Sequence, residues 1–269
     1  MAHGCDLPQE LIDVIIDFLH DDNTSLSSCS LVVRAWLAPS HFHKFRVLKV
    51  QEGGLLPRFT SLLENSATIA RSIQDLCFIK LSPSEPIDAA SLLSTLARLP
   101  ALHTLGIWYA SVGCYPKAQP LYAKIPKLRL LAMYLTNNTA ENFVQTIALF
   151  SKTPTDQLYI HNCTVHEWDS LKNLDISNLF PAGLWQVGSL FVRGSSCNFF
   201  LAHLPRLICA ATLRTLDIDV LDTFHARDIF TEFLAKMGST LHRLRWDVTA
   251  LYARPPECKH GFSHHRILY

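Results

Sequence analysis

Cysteine and histidine are the residue types in this sequence that could act as nucleophiles or bind a soft metal ion. The chain has 8 cysteines and 13 histidines among its 269 residues. The cysteines are spread singly along the chain with no Cys-x-x-Cys pair, a distribution that favours reduced, buried thiols over a disulfide framework or a zinc site. No cysteine stands in a recognisable nucleophile sequence, so a thiol-dependent enzyme has little support.

One cluster near the C-terminus invites a metal hypothesis. Four possible ligands lie within eight residues: Cys258, His260, His264 and His265. Their spacing follows no ordered zinc motif and they come after Pro255-Pro256, so we predict a flexible tail over residues 253–269 and no metal. The ten glycines are scattered and form no phosphate-binding loop, so we expect no cofactor.

Charge and hydropathy exclude several classes of partner. The net charge is +1 and the pI is near 7.7, so no basic field favours nucleic acid or an anionic membrane. The N-terminus lacks the basic start and apolar run of a signal peptide, and no segment reaches the roughly 18 apolar residues of a membrane span. We therefore expect a soluble intracellular protein, cytoplasmic or nuclear, that binds neither nucleic acid nor membrane.

The elements that open the chain are predicted to be three short helices. Apolar residues recur at helical spacing after Leu7-Pro8, and proline suits a first helical turn. A second helix is predicted over Leu26 to Leu37 with Pro39 ending it, and a short third helix around Ser40 to Lys44. Three helices in about 40 residues make a marginal core, so this unit is expected to gain stability by packing on something else.

Motifs in these helices carry a family resemblance. They are Leu7-Pro8-x-Glu10-Leu11, then Ile15-Ile16-x-x-Leu19, then Ser28-Cys29-Ser30-Leu31-Val32-Val33-Arg34-Ala35-Trp36. In order and spacing they resemble an F-box, and the likeness is closest to the F-box proteins of mushroom-forming fungi. Val33 departs from that family, which often has cysteine there, but valine keeps a small apolar side chain.

The resemblance implies a partner. In that family an F-box, here residues 5–50, binds a Skp-type adaptor that joins it to a cullin scaffold and a RING subunit in a ubiquitin ligase. Carried over by motif position, the adaptor-binding residues would be Leu7, Pro8, Leu11, Ile15, Leu31 and Val32, with Trp36 bracing the helices. The alternative interpretation is that these residues only cap the domain that follows.

Beyond residue 50 a leucine-based unit repeats. The pattern Leu-x-x-Leu-x-Ile, or a close variant, starts at Leu102, Leu128 and Leu213. With weaker copies, the second-leucine positions are Leu76, Leu105, Leu131, Leu158, Leu190, Leu216 and Leu244. Their gaps of 26 to 32 residues fall in the leucine-rich-repeat range, in which each repeat carries one strand.

The segments between these strands predict helices. Apolar residues recur at helical spacing over Ala90 to Leu99, Ala140 to Phe150 and Ala226 to Met237, and Asn138 with Glu141 resembles a capping box. We therefore predict an α/β fold, with an N-terminal three-helix F-box followed over residues 51–252 by a curved leucine-rich-repeat-like solenoid of about seven repeats. Its parallel strands would line the concave face, with helices outside. The alternative is a layered α/β domain.

Residues that alternate with the buried leucines are expected to face a ligand. Aromatic and arginine side chains are the usual anchors of protein interfaces. The candidate target-binding residues are Trp108, Tyr134, Tyr159, His161, Arg193, Asp217, Asp219 and Arg245. The other interpretation is that Trp108 and Tyr134 merely cover neighbouring aliphatic positions.

These features predict a substrate-receptor subunit of a cullin-type ubiquitin ligase. The F-box would bind the adaptor, the repeat would bind a target protein, and other subunits would carry out the chemistry, so no catalytic residue is needed here. The alternative is a leucine-rich-repeat scaffold without a role in a ligase. The identity of the target cannot be derived from the sequence.

Overall fold

The computed structural model describes thirteen stretches of the chain, and all structural statements concern them. They are residues 7–51, 55–79, 86–110, 112–113, 124–125, 127–135, 138–161, 165–166, 185–193, 207–219, 231–235, 238–247 and 267–268. The tail cluster around Cys258 and the first part of the predicted helix at Ala226 lie outside these residues. Residues 231–235 of that predicted helix are helical.

Three helices open the described chain: α1 (Gln9–Phe18), α2 (Asn23–Val32) and α3 (Arg34–Arg46). The side chain of Asp22 accepts hydrogen bonds from the backbone N–H groups of Thr24 and Ser25, which caps α2. A small apolar cluster holds the helices together and consists of Ile12, Ile16, Leu26 and Cys29, with Leu19 and Trp36 against it.

The predicted boundary between the second and third helices is wrong. The break falls at Val33, whose backbone is extended, and Pro39 lies inside α3 instead of ending a helix. Proline removes one backbone donor from a helix but does not prevent one where tertiary packing maintains it. Here α3 packs on α1, α2 and the later helix α5 (Ala67–Ser72), and Ser40 next to the proline is fully buried.

A nine-stranded parallel sheet forms the rest of the architecture. Eight strands follow one another in space in the same order as in the chain: β1 (Val47–Gln51), β2 (Asp75–Ile79), β4 (Thr104–Ala110), β6 (Leu128–Leu135), β8 (Thr155–His161), β10 (Val187–Arg193), β11 (Thr215–Asp219) and β12 (Arg243–Asp247). The ninth strand, β13 (Ile267–Leu268), pairs in parallel with β1. The sheet is open, with β12 and β13 at its two edges. The chain is therefore an α/β protein.

The pairing register aligns all seven leucines that mark the predicted strands. Leu76 is opposite Leu105, and the same row continues through Leu131, Leu158, Leu190, Leu216 and Leu244. The leucine pattern does not predict β1, which extends this row at Leu48 and begins inside the range assigned to the F-box. Nor does it predict β13, which lies in the predicted tail.

Helices cover one face of the sheet. They are α4 (Leu55–Asn65), α5, α6 (Ala89–Leu96) and α7 (Ala140–Leu149). Their buried residues, such as Phe59, Leu92 and Phe143, share one continuous core with the leucine row. Short parallel pairs precede two of these helices: β3 (Ile87–Asp88) with β5 (Val112–Gly113), and β7 (Asn138–Thr139) with β9 (Val165–His166).

The capping-box prediction at α7 is wrong by one residue. The N-cap is Thr139, whose hydroxyl accepts a hydrogen bond of 3.1 Å from the backbone N–H of Asn142. Asn138 instead pairs with Val165 in the short β7–β9 sheet, which fixes its backbone outside the helix. Among the described helices, none is both long and apolar enough to cross a lipid bilayer.

Candidate functional site

The first candidate site is the apolar helical surface, formed by exposed side chains of α1, α2 and the residues beside them. Of the predicted adaptor-binding residues, the structure exposes Leu7, Pro8, Leu11, Ile15, Leu31 and Val32. Leu31 is 86% exposed, which is unusual for a leucine in a folded protein. Trp36 differs from the others because it is half-buried and packs against the small cluster of the three helices.

The apolar helical surface is larger than the sequence analysis predicted. Val14, Phe18, Val33 and Leu37 are also exposed, and Phe18 is 84% exposed. Phe18 follows Leu11 and Ile15 at helical spacing, so the period of α1 could have identified it. So many exposed large apolar side chains on three short helices are unusual for a folded protein.

The second candidate site is the open face, which is the side of the sheet opposite the helices. Its side chains belong to strand positions that alternate with the leucine row, which is buried from Leu48 to Leu216, whereas Leu244 on the edge strand β12 is 42% exposed. The register brings the predicted residues into two neighbouring rows. One row contains Trp108, Tyr134, His161 and Arg193, and the other contains Tyr159, Phe191, Asp217 and Arg245. The side chain of Asp219 lies outside the described residues.

Trp108 lies flat against the open face. A Cβ atom added to Gly106 would lie 2.8 Å from the indole Nε1 and 3.0 Å from the Sγ of Cys77, so the indole occupies the space above that glycine. Any larger residue at position 106 would displace the ring. Trp108 therefore covers Gly106 and is half-buried.

Tyr109 is a functional candidate that sequence reasoning missed. Its φ of 53° is left-handed, and the pairing of β4 with β6 has a bulge between Trp108 and Ala110. The ring centroid of Tyr109 lies 4.4 Å from that of Tyr134 and 6.4 Å from that of Trp108. Strict alternation would have pointed residue 109 toward the helices, so no sequence pattern predicts this contact.

Two further ring pairs continue the aromatic character of the open face. Tyr134 stacks on His161 with centroids 5.2 Å apart, and Tyr159 stacks on Phe191 at 4.1 Å with an interplanar angle of 7°. These pairs bridge successive strands, because each ring belongs to the strand next to that of its partner. The open face thus carries rings from β4 to β10.

Charged residues follow the rings. The Asp217 carboxylate is 3.0 Å from Arg193 Nη2 and 3.9 Å from Arg245 Nη1. Asp217 is only 6% exposed, so it holds the two guanidinium groups instead of facing solvent. Burial, followed by the nearby negative charge of Asp217, raises the pKa of Tyr159, while Arg193 opposes this shift.

The described residues offer no metal centre, since none of their histidines, cysteines or carboxylates form a group of three or more suited to hold an ion. Cys29 and Cys77 are buried, and neither forms a disulfide. The His43 Nε2–H donates a hydrogen bond of 2.7 Å to the Asp17 carboxylate, which ties α3 to α1.

Comparison with known proteins gives no family for this chain. No protein-family model matches it, and neither the curated proteins nor the solved structures contain a match.

Proposed function

We propose that the chain is the substrate-receptor subunit of a cullin-type ubiquitin ligase, with residues 5–50 acting as an F-box. The observation that carries the proposal is the apolar helical surface. Leu7, Leu11 and Ile15 on or beside α1, and Leu31 and Val32 at the end of α2, are all exposed at the positions where the F-box motif would bind a Skp-type adaptor.

The energetics favour a partner on this surface. Only four apolar residues are buried in the cluster of the three helices, while more than twice as many large apolar side chains remain exposed there. Burying exposed apolar area is worth about 25 cal/mol per Å², so covering this patch would stabilise both the complex and the helices.

The open face would then bind the target protein. We propose the repeat-like sheet as a solenoid of the leucine-rich type, because eight of the nine described strands of this sheet follow the chain order and each of those eight contributes one leucine to a single row. Since α3 leads directly into β1, the adaptor site and the open face are joined through packed elements. The protein would promote ubiquitin transfer by holding the target near the charged ligase.

Co-purification with a Skp-type adaptor tests the proposal. We expect a stable complex with the wild-type chain, and we expect Leu11→Ala combined with Leu31→Ala to weaken it by about 100-fold, because buried apolar anchors at an interface each contribute more than about 1 kcal/mol. Both leucines are exposed, so the variant should fold like the wild type.

Leu62→Ala is the control, because Leu62 is also an exposed leucine, at 38%, but lies on α4, outside the F-box motif. It should bind the adaptor with wild-type affinity. A folded wild-type chain with no affinity for the adaptor would contradict the proposal and favour a scaffold role.

A further inference from the structure

The leucine row ends in an exposed leucine. Its first seven members, from Leu48 to Leu216, are each at most 1% exposed, whereas Leu244 on β12 is 42% exposed. In a stack of repeats each apolar row is buried by the next repeat, so the terminal repeat needs a separate cover. The apolar side of β12 is therefore less well covered than that of every other strand in the row.

The two edges of the sheet also differ. At one edge, β1 pairs with the short strand β13. At the other edge β12 pairs with β11, and no strand of the described residues lies beyond it. An edge strand presents a row of backbone N–H and C=O groups that can pair with another chain. The β12 edge thus combines an exposed leucine with an open backbone.

The pairing of β12 with β11 determines which backbone groups face outward. The backbone N–H of Arg243 donates a hydrogen bond of 3.1 Å to the carbonyl of Arg214, so Arg243 directs its backbone groups toward β11. Along a parallel strand, alternate residues direct both groups to opposite sides. Leu244 and Trp246 therefore direct their N–H and C=O groups away from β11.

The sequence of β12 is complementary to its own reverse. The strand reads Arg-Leu-Arg-Trp-Asp over Arg243–Asp247. In an antiparallel pair of two copies with a twofold axis at Arg245, Arg243 lies opposite Asp247 and Leu244 lies opposite Trp246. Opposite charges and large apolar residues directly across two strands stabilise their pairing. Each of these two pairs occurs twice, because the axis repeats it.

The same register suits the backbone and the central arginine. Leu244 and Trp246 of opposite copies become hydrogen-bonded pairs, which exchange both N–H···O bonds, because these are the residues whose groups face outward. Arg245 lies opposite itself at the axis, and like charges there repel. Its Nη1 is already 3.9 Å from the Asp217 carboxylate of its own chain, which offsets part of that repulsion.

We propose that β12 is the interface of a symmetric homodimer, in which two copies of the chain pair antiparallel over Arg243–Asp247 and join their sheets. The inference goes beyond the proposed function, because it assigns a second copy of this chain to an edge outside the apolar helical surface. A twofold axis perpendicular to the sheet leaves both open faces on the same side. A target with two binding segments would therefore contact both copies at once.

Sedimentation velocity of the purified full chain tests the interface, over a concentration range of about 100-fold because the population of a dimer depends on concentration. We expect the wild-type mass to rise from 30.3 kDa toward twice that value. Asp247→Arg and Arg243→Asp each turn two opposite-charge pairs into like-charge pairs, so each should weaken the dimer by about 10-fold or more. The double variant with both substitutions restores the opposite charges and should restore the dimer.

Leu244→Lys is a second test that leaves Arg243 and Asp247 in place, and it should also weaken the dimer because it removes the apolar pair. Leu62→Lys is its control, because Leu62 is an exposed leucine on α4 and its replacement should leave the dimer unchanged. A wild-type chain that stays monomeric at every concentration overturns the inference. So does a dimer that persists in Leu244→Lys and in both single charge variants. Association beyond the dimer, as head-to-tail pairing of opposite sheet edges would give, also overturns it.

Discussion

At position 109 the preference between glycine and alanine should be the reverse of that in an ordinary strand, because the backbone of Tyr109 is left-handed. At a left-handed position glycine is the favoured residue, and an L side chain costs about 1–2 kcal/mol there. In a regular strand alanine is favoured over glycine by roughly 0.5–1 kcal/mol. Comparing the stability of glycine and alanine variants at position 109 therefore measures the backbone strain without any contribution from the tyrosine ring.

We predict that Tyr109→Gly is more stable than Tyr109→Ala by about 1 kcal/mol. Both variants lose the ring contact with Tyr134, so that loss cancels in the comparison, and only the backbone differs. Urea unfolding of the two purified variants gives the difference directly. Greater stability of the alanine variant would mean that residue 109 lies in regular strand geometry.

Asp217 shows what an alternating sequence pattern can and cannot predict about a single residue. The pattern assigned it correctly to the side of the sheet opposite the leucine row, but it described Asp217 as a residue that faces a target. The structure buries its carboxylate between Arg193 and Arg245. A charged side chain shielded from water needs partners of opposite charge, and Arg193 and Arg245 lie 24 and 28 residues from Asp217 in the chain, which a local pattern does not identify.

At the scale of the element, helix cores were easier to predict than helix ends. The helix predicted over Ala140 to Phe150 agrees with α7 within one residue, because apolar spacing extends over its whole length. The ends depend on single hydrogen bonds and on neighbours in space. Val33 interrupts the first helices and Pro39 does not, because packing of α3 outweighs the missing donor.

The assignment of the α7 cap gives a prediction of its own. Thr139→Ala removes the oxygen that accepts the hydrogen bond from the Asn142 backbone N–H, so we expect it to lower the free energy of unfolding by about 1 kcal/mol. Asn138→Ala is the matched control and should change stability by less than about 0.5 kcal/mol, because Thr139 and not Asn138 caps the helix. Thermal unfolding followed by circular dichroism compares the stability of the two variants. A larger loss of stability from Asn138→Ala would mean that Asn138 is the N-cap of α7.

At the scale of the whole molecule, the described residues contain two separate apolar clusters. The small cluster belongs to the three N-terminal helices, and the large one joins the sheet to α4–α7. A core of four buried residues supplies little stability alone. We therefore expect the three helices to open more readily than the sheet when no partner covers them.

Ile16→Ala tests this division. Ile16 is fully buried in the small cluster, and deleting such a side chain removes about 2–5 kcal/mol. Hydrogen exchange should then show lost protection in α1 and α2, with the amides of β6 unchanged. Leu131→Ala, in the large cluster, should instead weaken protection across the sheet. Equal loss in both regions after Ile16→Ala would mean that the chain unfolds as one cooperative unit.

The sequence by itself determined the positions of seven strands and the burial of six of their seven leucines, since Leu244 is exposed. These features depend on a period of two along each strand, which is local. The six adaptor-binding candidates that the structure exposes came from the motif resemblance and not from helical spacing. Only the tertiary structure decided the placement of Tyr109, the burial of Asp217, the path of α3 through Pro39 and the addition of β1 and β13 to the sheet. Each of these depends on contacts between residues that are distant in the chain, and such contacts override local preference.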